Sequence, residues 1–315
     1  MIGIELVIQV VLLLVGFLFL IKGADIFVEG ASSVAGYLKI PTLIVGLTIV
    51  AFGTSMPEAS VSIVSSLSGS NAIAVSNVIG SNLFNILVII GLCATLKNLP
   101  LDKVVVKRDI PILVLVSALL VVFIVTDWIL GSVEGVILLC LIIIYVAYLV
   151  YDARKDGKAQ EVKKPSISVL RSIIYIVVGL IGIILGGNFV VDSASYIALS
   201  FGMSETLVGL TIVAIGTSLP ELITSLTALK KGETGIVIGN VIGSNIFNIL
   251  FVLGASSAIS AMILSPTLLI DLILLVVTAV ICLIFAFTDT KFDKKEGLIF
   301  LAIFIAYMAF IILRN

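Results

Sequence analysis

Apolar runs of about 20 residues recur along the whole chain, separated by short polar breaks, and each run is long enough to cross a bilayer as a helix. The pattern predicts ten spans, at 3–28, 42–66, 72–96, 109–126, 128–150, 169–193, 206–229, 234–262, 267–288 and 295–313. The runs are continuous and do not alternate, which argues against a transmembrane β-barrel. The first run, MIGIELVIQVVLLLVGFLFL, has no basic region ahead of it and no small-residue cleavage site, so it reads as a retained helix. The longest polar break, DARKDGKAQEVKKPSIS at 152–168, reads as a solvated linker too short to be a domain.

Every second loop is basic. Lys39 follows the first span, and Lys97, Lys103, Lys107 and Arg108 lie between the third and fourth. Arg154, Lys155, Lys158, Lys163, Lys164 and Arg171 flank the linker. Lys230 and Lys231 follow the seventh span, and Lys291, Lys294 and Lys295 the ninth. Cytoplasmic loops carry this excess. The expected topology is therefore a multi-pass protein of the cell membrane, with both termini outside and the linker cytoplasmic.

The chain also repeats itself. Shifted by 163 residues, Val45–Leu87 aligns with Val208–Leu250 without a gap, and 25 of the 43 positions are identical. VGLTIVAFGTSMPE faces VGLTIVAIGTSLPE, and NVIGSNLFNIL faces NVIGSNIFNIL. The same offset pairs Gly16 with Gly179, Gly23 with Gly186 and Glu29 with Asp192. The predicted units are residues 1–151, with motif region 45–87, and 169–315, with motif region 208–250. Five spans is an odd number, so the second copy must cross the membrane in the opposite sense. The expected fold class is an all-α polytopic membrane protein of ten transmembrane helices, arranged as two inverted five-helix repeats with broken helices at the midplane. That organisation is typical of secondary transporters.

Composition narrows the chemistry. The chain is 61% hydrophobic and 12% charged, and its net charge of −1 gives no sign of a nucleic-acid partner. It has no histidine, which removes His catalysis, His metal ligands and His proton relays together. Cys93, Cys140 and Cys282 lack CxxC spacing and read as small buried apolar residues. No cofactor and no protein partner are expected, and no nucleophile–base pair marks an enzyme.

Among the carboxylates, only Glu58 and Glu221 fall well inside spans. Asp25, Glu29, Asp109, Asp127, Glu134, Asp192, Glu205, Asp271 and Asp289 fall near span ends or in loops, where they read as interface or surface charges. A charge at mid-span costs about 3 kcal/mol on insertion scales and marks a functional site. Its neighbours are polar at helical spacing. Thr54 and Ser55 precede Glu58 by a turn and Ser62 follows it; Thr217, Ser218 and Ser225 do the same around Glu221. Asn77, Ser81 and Asn85 share one helix face, as do Asn240, Ser244 and Asn248. Oxygen donors without thiol or imidazole suit the hard cations Ca²⁺, Na⁺ or Mg²⁺. Pro57 and Pro220 cannot donate to the carbonyls of Gly53 and Gly216, so each Gly-Thr-Ser-x-Pro run should break its helix and turn carbonyls inward.

GTSMPE with NVIGSNLFN, and GTSLPE with GNVIGSNIFN, resemble the α-repeats of the sodium/calcium exchangers in the cation/Ca²⁺ exchanger superfamily. The short linker is most similar to the prokaryotic type without a large regulatory loop. The resemblance implies that Glu58 and Glu221 are the shared cation carboxylates. It implies that Thr54 and Thr217 offer backbone carbonyls to Ca²⁺. Ala51 with Ala214, Ser55 with Ser218, and Ser81 with Ser244 would line flanking Na⁺ positions, and Asn85 and Asn248 would close the centre. Some exchangers carry Asp at the position of Asn248, and K⁺-cotransporting relatives have an acidic residue in that region; both positions here are Asn. The Ca²⁺/H⁺ branch has an acidic residue where this chain reads GSN. Ser76 stands where the second repeat has Gly239.

The implied function is electrogenic, K⁺-independent antiport of Na⁺ against Ca²⁺ by alternating access, with the bilayer and the two ions as the only partners. The alternatives are a Ca²⁺/H⁺ or other divalent-cation exchanger and a passive cation channel.

Overall fold

The computed structural model describes residues 2–155, 165–202 and 214–314. The centre of the expected linker and residues 208–213 of the second motif region lie outside them. The chain is built almost wholly of helices: α1 Ile2–Leu38, α2 Thr42–Thr54, α3 Met56–Leu67, α4 Asn71–Leu96, α5 Val105–Asp127, α6 Ser132–Lys155, α7 Val169–Ser200, α8 Ala214–Gly216, α9 Leu219–Lys230, α10 Thr234–Ile259, α11 Pro266–Asp289 and α12 Lys294–Arg314.

Seven of these helices are long and apolar enough to cross a membrane alone: α1, α4, α5, α6, α7, α10 and α11. The pair α2 and α3, bent by 46° at Ser55, makes an eighth if counted as one span. This is fewer than the ten expected, and the reasons are local. The 42–66 span is broken in its middle. The 206–229 span begins outside the described residues. Helix α12 opens on Lys294, Lys295 and Glu296, and the side chains of residues 312 and 314 at its end lie outside the described ones. Other helices outrun their expected limits. Helix α1 continues to Leu38 and α7 to Ser200.

The two long helices α1 and α7 cross in backbone contact, and the contact residues are glycines. A Cβ on Gly23 would lie 2.8 Å from the Gly179 carbonyl oxygen, and one on Gly179 would lie 2.8 Å from the Gly23 carbonyl oxygen and the Phe27 nitrogen. Gly16 and Gly186 meet in the same way. Helices in lipid associate by such close packing, since apolar burial gives them no advantage over lipid tails. Gly179→Ala is therefore expected to force the crossing apart and to destabilise by about 1–3 kcal/mol, read as a lower thermal unfolding midpoint in detergent. Gly80→Ala, where a Cβ would meet nothing within 4 Å, should leave that midpoint unchanged or raise it slightly.

Four two-residue strands tie the loops together. β1 (Leu99–Pro100) follows α4 and pairs antiparallel with β4 (Lys291–Phe292), which precedes α12. β2 (Ile129–Leu130) follows α5 and pairs antiparallel with β3 (Met262–Ile263), which follows α10. β3 lies 163 residues after β1, yet β1 pairs at one end of α5 and β3 at the other.

The charges sort differently from their positions along the chain. Asp109 is wholly buried and Asp271 nearly so, which corrects the reading of both as surface or interface groups. Arg108 grips Asp109 through two nitrogens, at 2.8 and 3.0 Å, and also pairs with Asp152. Tyr145 donates to Asp109 at 3.0 Å, and Tyr307 donates to Asp271 at 3.1 Å. Each Tyr is 36 residues after its Asp, so the two pairs correspond between the halves. Lys231, in the turn after α9, meets Asp25 of α1 at 2.8 Å. Cys93 and Cys282 are buried and Cys140 is exposed on α6, so the expectation of three buried cysteines holds for two.

Candidate functional site

The hexapeptides form the helix breaks that their prolines predict. Helix α2 ends at Thr54, Ser55 takes φ −83° and ψ 6°, and α3 starts at Met56. In the other half Ser218 takes φ −90° and ψ 4° between α8 and α9. Pro57 and Pro220 occupy first-turn positions, where a missing N–H has no partner to lose. Glu58 and Glu221 then fall in the first turns of α3 and α9, where the positive end of the helix dipole favours a carboxylate. Carbonyls at the end of the preceding segment point the opposite partial charge at the same gap.

The breaks interlock. The Ser55 hydroxyl donates to Glu221 Oε1 at 3.0 Å, and the Ser218 hydroxyl donates to Glu58 Oε1 at 3.1 Å. Each half thus supplies a hydroxyl to the other half's carboxylate, which puts the two glutamates within electrostatic reach of one another. Both glutamates and both serines are fully buried. Ser81 adds a longer contact to Glu58 Oε1 at 3.4 Å. Its counterpart Ser244 stands near Glu221 and reaches the Ala51 carbonyl at 3.5 Å.

Two asparagines brace the breaks from behind. Asn240 donates to the Glu221 carbonyl at 3.2 Å and to Ser225 at 3.0 Å, while accepting from Thr54 at 3.0 Å. Asn77 donates to the Glu58 carbonyl at 3.3 Å and to Ser62 at 3.0 Å, while accepting from Thr217 at 3.3 Å. The hydroxyls of Thr54 and Thr217 are thereby spent on protein partners. The Ala51 carbonyl accepts the Ser55 N–H at 3.1 Å, with the Ser244 and Thr54 hydroxyls each at 3.5 Å. Ala214 opens α8, and its side chain lies outside the described residues.

Asn85 and Asn248 are fully buried, and each begins a π-helical segment, Asn85–Ile90 and Asn248–Leu253. Such wide turns are frequent at functional sites. Among the described residues, Glu58 Oε2, Glu221 Oε2, Asn248 Oδ1 and both amide atoms of Asn85 have no hydrogen-bond partner. A buried polar atom left unpaired costs about 1–3 kcal/mol, more when charged. Buried acceptor oxygens left without donors are what a desolvated hard cation requires. Asn77 and Asn240 were read from sequence only as polar residues sharing a helix face with the site, and a further pair, Asn82 and Asn245, was not singled out. The one available signal was their repetition inside the two NVIGSN motifs.

The family described as sodium/calcium exchanger protein matches residues 8–152 and 171–313. A protein of Alkalimonas amylolytica named as an antiporter, CaxA, is 41% identical over 81% of this chain and 82% of its own. The sodium/calcium exchanger MaX1 of Methanosarcina acetivorans is 29% identical over 94% of this chain and 96% of its own. The solved structure of the sodium-calcium exchanger NCX_Mj soaked with Na⁺ and Sr²⁺ superposes with a TM-score of 0.86 at 33% identity, covering 96% of this chain and 99% of that one.

Proposed function

The chain belongs to the sodium/calcium exchanger protein family, and from that premise we propose that it exchanges Na⁺ for Ca²⁺ across the cell membrane at a site built on Glu58 and Glu221. It is a multi-pass membrane protein of a cation/Ca²⁺ antiporter family. The observation that carries it is the reciprocal crossing of Ser55 to Glu221 and Ser218 to Glu58, with unpaired buried oxygens beside it.

Two carboxylates about 5 Å apart repel by about 3 kcal/mol at an effective dielectric of 20. One Ca²⁺ neutralises the pair, and so do two Na⁺. A third Na⁺ would draw on the oxygens of Ser81, Ser244, Ala51, Ala214, Asn85 and Asn248. The empty, doubly charged centre resists reorientation, so the protein changes its facing only when loaded, and the two ions compete for one site. Three Na⁺ for one Ca²⁺ moves one charge per cycle, worth about 2.3 kcal/mol per 100 mV. Neutral Asn85 and Asn248 leave no third carboxylate for K⁺.

Ten passages in two inverted sets of five belong to this reading. The strand pairings support it, because the corresponding strands β1 and β3 sit at opposite ends of α5, a helix long enough to cross the membrane. The basic loops support a cytoplasmic linker and external termini.

The experiment is reconstitution in liposomes loaded with Na⁺, following Ca²⁺ entry. Uptake is expected to follow the Na⁺ gradient, to speed up under an inside-positive potential and to ignore K⁺. Uptake that follows a pH gradient and ignores Na⁺ would replace this reading with Ca²⁺/H⁺ exchange. Ca²⁺ entry with no counter-ion gradient would replace it with a channel.

A further inference from the structure

The two halves are copies, but their central amides are not held alike. The Asn82 Nδ2 group donates to the Asn245 backbone carbonyl at 3.1 Å. A carbonyl can only accept, so this contact fixes which way the Asn82 amide points. Its Oδ1 must then face Asn248, and Asn248 Nδ2 donates to it at 3.1 Å. That bond in turn leaves Asn248 Oδ1 turned away, buried and without a donor among the described residues. Asn245 is the counterpart of Asn82, yet it donates to Val241 of its own helix at 2.9 Å and does not reach Asn85. Both amide atoms of Asn85 lack a partner among the described residues. One central amide is therefore locked by a chain of donors anchored on a backbone carbonyl, and its pseudo-symmetric twin has no such anchor.

We infer that Asn82 is a positioning residue for ion selectivity: through its bond to the Asn248 amide it holds Asn248 Oδ1, and not the NH₂, toward the transported cation. The inference rests on the proposed ion site and adds a residue that does not touch the ion. It also explains how a neutral residue can serve at position 248. An amide presents an acceptor to a cation only if something fixes its orientation, and a freely turning amide presents its donor half of the time. A carboxylate has two acceptors and needs no such guide.

The test is a double-substitution cycle in Na⁺-loaded liposomes, reading KM for Ca²⁺ and the maximal rate separately. In the otherwise unaltered protein, Asn82→Leu should raise KM for Ca²⁺ about tenfold, the size of one lost hydrogen bond, with a smaller change in maximal rate. In the Asn248→Asp background the same substitution should leave KM unchanged or lower it, because the Asn82 Oδ1 lone pairs would there oppose a carboxylate. If Asn82→Leu does not fold, Asn82→Ala runs the same cycle. An equal rise in KM in both backgrounds, or none in the first, overturns the inference. Failure of the unaltered protein to couple Ca²⁺ to Na⁺ would instead overturn the ion-site reading, so the two failures are distinct.

Discussion

Replacing either central glutamate by glutamine is expected to lower Na⁺-driven Ca²⁺ uptake by about 10²–10³-fold while leaving the protein folded. Glutamine keeps the shape and one oxygen of the side chain and removes its charge. A unit charge at about 4 Å from an ion is worth about 4 kcal/mol at an effective dielectric of 20, which is about three powers of ten. Glu58 and Glu221 accept the reciprocal hydroxyls of Ser218 and Ser55, so Glu58→Gln and Glu221→Gln should cost about the same. The folding control carries its own sign. Each glutamate is buried with one oxygen unpaired, so without ions the glutamine variants should unfold no earlier than the parent. Added Ca²⁺ should raise the parent's unfolding midpoint, because a ligand that binds only the folded state stabilises it by mass action, and should leave the variants' midpoints in place. A variant that keeps the full Ca²⁺-dependent rise would remove that glutamate from the site.

The second large effect lies away from the site. Arg108→Met is expected to destabilise the protein by about 3–5 kcal/mol, because it strands the buried charge of Asp109. Asp109 is fully enclosed and the Arg108 side chain is 10% exposed. Arg108 holds Asp109 with two bonds and reaches Asp152 at the end of α6, so it also ties the start of α5 to α6. The double substitution Arg108→Met with Asp109→Leu should recover much of the loss, since it removes both charges and leaves apolar packing. Chemical unfolding in detergent measures both. A double variant as unstable as the single would mean that Arg108 acts through Asp152 or through its stacking over Tyr148.

This cluster shows where reading from sequence stops. A constant offset of 163 aligns the two motif regions, but Asp109 with Asp271, and Tyr145 with Tyr307, stand 162 apart. One residue fewer in the loop before α11 takes the rear helices out of register with the fixed shift. The Asp–Tyr pairs then look like unrelated end-of-span charges. The hydrogen bonds identify them, because both tyrosines reach their aspartates over the same 36 residues. Ile270 precedes Asp271 where Arg108 precedes Asp109, so the two halves treat the same buried carboxylate differently.

Sequence by itself determined the membrane class, the repeated halves, the two helix breaks and the pair of glutamates. Those features follow from local physics: apolar run length, proline's missing N–H, and the cost of a charge at mid-span. Tertiary structure alone decided how the copies meet. That Ser55 serves Glu221 and Ser218 serves Glu58, that Asn240 braces a break begun by Thr54, and that Asn82 holds Asn248 are all contacts between residues far apart in the chain. Hydrogen bonds within a helix are set by spacing and can be read along the sequence. A bond between halves depends on where two packed helices place their side chains. The glycine crossing of α1 and α7 and the interlocked breaks set that placement, and no single stretch of sequence contains it.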